Sequence, residues 1–133
     1  MAILVKGSSI YLADVHAPIR FSGFSGEALS AAAPCYLKSD GLVWMSGSAI
    51  VDEANHPMFI GMTVAAVSAA NMPVTLFGVG SRIHVVDSGL TIGTRYWSGS
   101  TAGALSDTKL GTADTPIAKA VSATDLLIVR DPY

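Results

Sequence analysis

Tyr36-Leu37-Lys38-Ser39-Asp40-Gly41-Leu42-Val43-Trp44 is the stretch on which the reading of this chain turns. Two short apolar runs flank a Ser-Asp-Gly turn. Asp-Gly between such runs signals a hairpin, because glycine accepts the positive φ that a tight reversal demands. A hairpin closing there brings Tyr36 and Trp44 together across the ladder.

Working outward, thirteen glycines and six prolines cut the chain into pieces too short for most helices but long enough for strands. Strands are predicted at 9–13, 35–37, 42–46, 59–64, 74–78, 82–86, 96–98 and 126–130, several of them rich in β-branched or aromatic residues. The Ala28-Leu29-Ser30-Ala31-Ala32-Ala33 piece runs into Pro34, which biases Ala33 toward extended geometry, so a turn or bend is expected there. Between residues 64 and 70 the helix preference of alanine competes with strand-like flanks, and strand plus loop is the expectation. The class is all-β.

Residues 29–76 and 90–129 read as imperfect copies of one another. Tyr36-Leu37 and the Asp40-Gly41 turn of the first answer to Tyr96-Trp97 and the Ala102-Gly103 turn of the second, and both copies close on apolar runs. Residues 1–27 lie outside this weak repeat and mix apolar clusters with Gly, Ser and Pro. They are expected to form an extended N-terminal arm that orders on assembly, ahead of a β-domain over 28–133.

At 133 residues the chain has the size of one domain with a single sizeable core. Charged residues make up 14% of it, against the roughly 25% of ordinary soluble domains, and part of its apolar surface is therefore expected to be buried against other chains. The net charge is −2 and no two Lys or Arg residues are adjacent, so nucleic acid is not an expected partner. A lone Cys35 allows no internal disulfide, which suits assembly in a reducing compartment. Met1-Ala2-Ile3-Leu4-Val5 is too short for a signal-peptide core and is followed by Lys6, so no secretion signal is expected. Ser68, Asn71 and Pro73 interrupt the most apolar window, which reads as two buried strands and a turn, with no membrane role.

Candidate chemistry is sparse. Val85-Val86-Asp87-Ser88-Gly89 looks like the active-site loop of aspartic proteases, in which Asp87 would share a proton with its mate in a homodimer. The likeness covers five residues, with Leu90 where Ala or Ser is usual and no later apolar-apolar-Gly element, so a strand ending in a turn is the plainer account. His16, His56, His84 and Cys35 lack the short paired spacing of metal ligands, and Asp52-Glu53 with His56 fits a solvated loop. The serines of Gly23-Phe24-Ser25-Gly26 and of Gly99-Ser100-Thr101-Ala102-Gly103 miss the spacing of a nucleophile elbow. Gly78-Val79-Gly80 lacks the third glycine of a dinucleotide loop and reads as a bulge or tight turn. No catalytic residue, cofactor or metal is assigned. Tyr36, Trp44, Tyr96 and Trp97 could serve either as a sugar-stacking platform or as core and interface packing.

The phrasing of the chain resembles the small capsid decoration (cement, head-stabilising) proteins of tailed bacteriophages. The phrases that carry the resemblance are Gly26-Glu27-Ala28-Leu29-Ser30, Pro34-Cys35-Tyr36-Leu37, Asp40-Gly41-Leu42-Val43 and Phe59-Ile60-Gly61-Met62. They continue in Gly89-Leu90-Thr91-Ile92-Gly93-Thr94-Arg95-Tyr96-Trp97, Ala102-Gly103-Ala104-Leu105 and Pro116-Ile117-Ala118-Lys119-Ala120. The resemblance implies a small single-domain β-barrel or β-sandwich, made in the host cytoplasm. It would bind as a homotrimer or other homo-oligomer to the major capsid protein on the outer surface of the virion. On that reading Ala2, Ile3, Leu4 and Val5 form an arm that adds a strand to a capsid or subunit edge, and Tyr96 and Trp97 contribute contacts. Similar phrases occur in tail-fibre and baseplate β-domains, which makes carbohydrate binding at the host surface the alternative. A homodimeric aspartic protease using Asp87 is the remote one.

Overall fold

Short runs of alternating burial organise this chain into two antiparallel sheets. A computed structural model describes residues 3–7, 9–13, 19–47, 59–108 and 116–129, and among these there are strands and turns but no helix. The strands are β1 (Tyr11–Leu12), β2 (Ile19–Phe24), β3 (Pro34–Leu37), β4 (Val43–Met45), β5 (Gly61–Met62) and β6 (Pro73–Phe77). They continue with β7 (Arg82–His84), β8 (Arg95–Ser98), β9 (Leu105–Ser106), β10 (Ala118–Ala120) and β11 (Asp125–Ile128). One sheet runs β2-β6-β5-β3-β4 and the other β1-β7-β11-β10-β8-β9. Neither closes into a barrel, and the pair is compatible with a sandwich.

Apart from β1, the two sheets have one strand order, with β2, β3, β4, β5 and β6 matched by β7, β8, β9, β10 and β11. The match extends to single bonds. Ile60 N–H donates to Cys35 O as Ile117 N–H does to Tyr96 O, both at 2.8 Å, and Thr63 N–H meets Ala33 O as Ala120 N–H meets Thr94 O. Hairpin glycines Gly41 and Gly103 sit at φ +82° and +84°, a conformation that costs glycine nothing sterically. Gly93, at φ +93°, holds without strain the turn that Ala32 holds at φ +48°, at a cost of about 1 kcal/mol. The structural unit thus starts at β2 and at β7, upstream of residues 29 and 90.

The Asp-Gly hairpin forms with Tyr36 opposite Trp44. Lys38 N–H closes it onto Leu42 O at 3.1 Å. Three strands have no counterpart in the sequence-based expectation. β10 is Ala-Lys-Ala, which carries little strand propensity and is held by burial of both alanines. β9 is two residues long, and β2 lies in the segment expected to be an arm.

Over its described residues that N-terminal segment is paired within the chain. Ile3 bridges Ser106, Leu4 N–H donates to Leu105 O at 2.8 Å, and Gly7 N–H donates to Val85 O at 2.7 Å. β1 then pairs with β7 and β2 with β6. The physical reason is edge satisfaction. In the first sheet Gly26 N–H returns to cover Val43 O at 2.8 Å, and Leu4 does the same for Leu105 in the second. The strap formed by residues 3–7 and 9–13 therefore pairs with the second sheet at β9 and again at β7.

The core has two parts. Leu29, Ala33, Cys35, Val43, Val74 and Leu76 fill the first. Ile83, Val85, Leu105, Ile117, Leu126 and Ile128 fill the second, where Ala32, Phe59 and Met62 from the first half join them. Those three residues bind the halves into one packing unit.

Candidate interaction surface

Alternation along β6 decides where open surface lies. Val74 and Leu76 point into the core, so Pro73, Thr75 and Phe77 face the other way. There a cavity of about 530 Å³ opens, with Ile10, Tyr11 and Leu12 on one wall and Ser22, Thr75 and Phe77 among the residues of the other. Ser22 and Thr75 are directly opposed in the ladder, their hydroxyl oxygens 3.5 Å apart. Beside the cavity the chain leaves large apolar side chains in solvent: Tyr11 is 52% exposed, Ile19 65% and Phe24 54%.

A polar cluster fixes β1 along this surface. The Tyr11 ring stacks on His84 with centroids 4.5 Å apart and planes 8° from parallel. Behind it His84 Nδ1 lies 3.2 Å from Asp125 Oδ1, and Arg82 Nε donates to Asp125 Oδ2 at 2.7 Å. Thr124 Oγ1 donates to Oδ1 at 2.8 Å. Burial pushes the Asp125 carboxyl up, but the hydrogen bonds from Thr124 and Arg82 and the nearby positive charge outweigh it and hold it below its usual range. The network keeps a buried carboxylate ionised and anchors the edge strand.

Asp87 faces the other ring nitrogen, with Oδ1 3.7 Å from His84 Nε2, and its side chain is 78% exposed. It sits in the bend after β7, followed by Gly89 at φ +105°. Gly78-Val79-Gly80 is a tight turn closed by Ser81 N–H on Gly78 O at 3.1 Å. His16, His56, Asp52 and Glu53 lie outside the described residues. Among the described ones no three His, Cys, Asp or Glu residues are grouped to hold a metal.

The residues expected to make contacts are placed unequally. Ala2 lies outside the described residues. Ile3 is 39% exposed and Val5 84%, whereas Leu4 packs against the second core. Tyr96 is 6% exposed and belongs to that core. Adjacent strand residues point to opposite faces, so Trp97 turns away from it, with Arg95 5.9 Å from its ring centroid. Tyr36 is buried as well, and its cross-strand partner Trp44, also in the first sheet, lies under Lys38 Nζ at 3.7 Å. The four rings form no common platform. The apolar edge at β2 escaped sequence reading because Ile19 and Phe24 are separated by Arg20, Ser22 and Gly23 and show no uniform stripe.

Lys6 ties the strap to both halves, donating from Nζ to Ala31 O and Gly103 O, each at 2.9 Å. Burial lowers its pKa from 10.5 to about 8, with a small opposing effect from Cys35. The Cys35 thiol is pushed up to about 12, first by burial and then by Glu27, against smaller effects of Lys6 and Thr63. The folded chain therefore releases the Lys6 proton more readily than the unfolded chain, and stability rises as pH climbs from 8 toward 10.5. Cys35 acts in the opposite sense from about pH 9, where the unfolded thiol ionises and the buried one does not. Between pH 8 and 9 the Lys6 effect stands alone of the two. Urea midpoints are expected to rise across that window in the wild type and to stay flat in Lys6→Met. A flat wild-type profile would refute this account.

No protein-family model matches this chain, and no curated protein matches it either.

Proposed function

We propose that this chain is a structural virion protein that binds the outer surface of a bacteriophage capsid and stabilises contacts between major capsid subunits. The observation that carries the reading is the exposure of Tyr11 and Ile19 on the two strands that border the cavity. Exposed apolar side chains beside a cavity offer a surface for contacts with another protein. The low charge content and the resemblance in phrasing to capsid decoration proteins support the same reading. A doubled β-unit whose halves are joined through Ala32, Phe59 and Met62 is a rigid body, suited to straddling a seam between larger subunits. Anything that binds only the intact lattice stabilises it by mass action, and many copies multiply modest contacts.

The test uses capsids of the phage that encodes the chain, stripped of it. Adding the purified protein is expected to raise the temperature at which these shells disassemble, saturably, and Ile19→Ala is expected to weaken the effect at least tenfold in protein concentration. No shift at saturating protein refutes the reading.

A further inference from the structure

We propose that the chain self-associates through β2, two copies pairing this strand antiparallel about a twofold axis so that their first sheets become one. The proposal goes beyond the capsid reading and does not depend on it.

The internal duplication supplies the argument. β2 and β7 hold the same place in their sheets, each beside the last strand of its half. The outer edge of β7 is filled by β1, with Tyr11 opposite His84 and Leu12 opposite Ile83. The outer edge of β2 has no partner strand among the described residues, so one half shows the other's edge in its occupied state.

The backbone of β2 is set for such pairing. Ser25 N–H donates to Met72 O at 2.9 Å, and the register continues inward through Phe24 opposite Pro73, Gly23 opposite Val74, Ser22 opposite Thr75 and Phe21 opposite Leu76. Hydrogen-bonded pairs alternate along an antiparallel ladder. Phe21 and Gly23 therefore turn their backbone groups toward β6, and Ser22 and Phe24 turn theirs outward. The other half behaves alike: Val85 N–H turns inward to Thr124 O at 3.0 Å, whereas Arg82 O turns outward and accepts from Ala13 N–H at 2.8 Å.

A second copy of β2 satisfies that edge. A twofold axis normal to the sheet puts opposite one another residues whose numbers have an even sum, and centring it on Ser22 uses both outward residues. Ser22 then faces Ser22 of the second copy, Phe24 faces its Arg20, and Gly23 faces its Phe21. Arg20 is the only charge on the strand. This register keeps it from its own counterpart and lays it on an aromatic face, while the Phe21 ring lies over Gly23 of its own chain. Phe24, now 54% exposed, leaves solvent. The register shift between Ile19 and Phe21 sets the limit of the seam at Arg20.

Sedimentation equilibrium of the full chain up to millimolar concentration is expected to show monomer and dimer. Ser22→Pro removes an outward N–H without removing a backbone bond to β6, and Phe24→Lys sets a cation against Arg20 of the second copy. Each is expected to weaken dimerisation at least tenfold with an unchanged circular dichroism spectrum. Ser22→Cys is expected to give a disulfide-linked dimer under mild oxidation, because directly paired strand residues have Cα atoms about 5.5 Å apart, within disulfide reach. Thr75→Cys, one strand further in, is not expected to crosslink. A wild type that stays monomeric throughout, or no excess crosslinking of Ser22→Cys over Thr75→Cys, overturns the proposal.

Discussion

Replacing Leu126 by alanine is expected to lower the unfolding free energy by about 3 kcal/mol, within the 2–5 kcal/mol range of buried leucine truncations. Leu126 is fully buried in the second core, at the centre of β11, where it faces Ile83 on one side and Ala120 on the other. Neither neighbour can close the gap without disturbing a ladder, so the cavity persists. Leu76 is the equivalent residue of the first half, also fully buried, and Leu76→Ala is expected to cost a similar amount. Because Ala32, Phe59 and Met62 join the halves, both variants should unfold in one transition with midpoints roughly 10 °C lower. Two separate transitions in calorimetry, or a loss below about 1 kcal/mol, would show that the halves are not packed as described.

Removing the Asp125 carboxylate is expected to cost nearly as much, about 2–3 kcal/mol in Asp125→Ala, through a different mechanism. The substitution takes away the acceptor of Arg82 Nε and Thr124 Oγ1 and the partner of His84 Nδ1. Hydrogen bonds to charged groups contribute about 1.5–3 kcal/mol each when buried. The Arg82 side chain is 44% exposed and recovers part of that loss from water, which holds the total down. His84 also carries the Tyr11 stack, so β1 should loosen first. Hydrogen exchange at Ala13, whose N–H bonds to Arg82 O, is expected to accelerate beyond that at Lys38 in the distant hairpin. The pH dependence has a definite sign. A carboxyl held below its usual value of 3.8 contributes fully above that value and loses its contribution as pH falls through the lowered folded value. The wild type should therefore lose stability in acid more steeply than Asp125→Asn, and parallel acid profiles would count against this network.

The all-β class and the hairpin were legible in the sequence, because Asp40-Gly41 and the lack of long uninterrupted segments are local facts. So were the bend before β3, dictated by Pro34, and the turn at Gly78-Val79-Gly80. β10 was not legible, since Ala118-Lys119-Ala120 is a strand only because β8 and β11 flank it. Nor was β2, whose bulge breaks the period-2 pattern that identifies strands. Of the contact residues named from sequence, Val5 is well exposed, while Tyr96 went into the core because strand parity aims it there.

By itself, then, the sequence determined where the chain turns and that it folds as strands, since turn chemistry and strand length act over a few residues. Only tertiary structure decided that Leu4 pairs along β9 and Tyr11–Leu12 along β7, while the outer side of β2 has no partner strand among the described residues. Those pairings join residues some seventy to one hundred positions apart. Which edge receives a partner depends on the packing of both halves at once, and no local propensity encodes it.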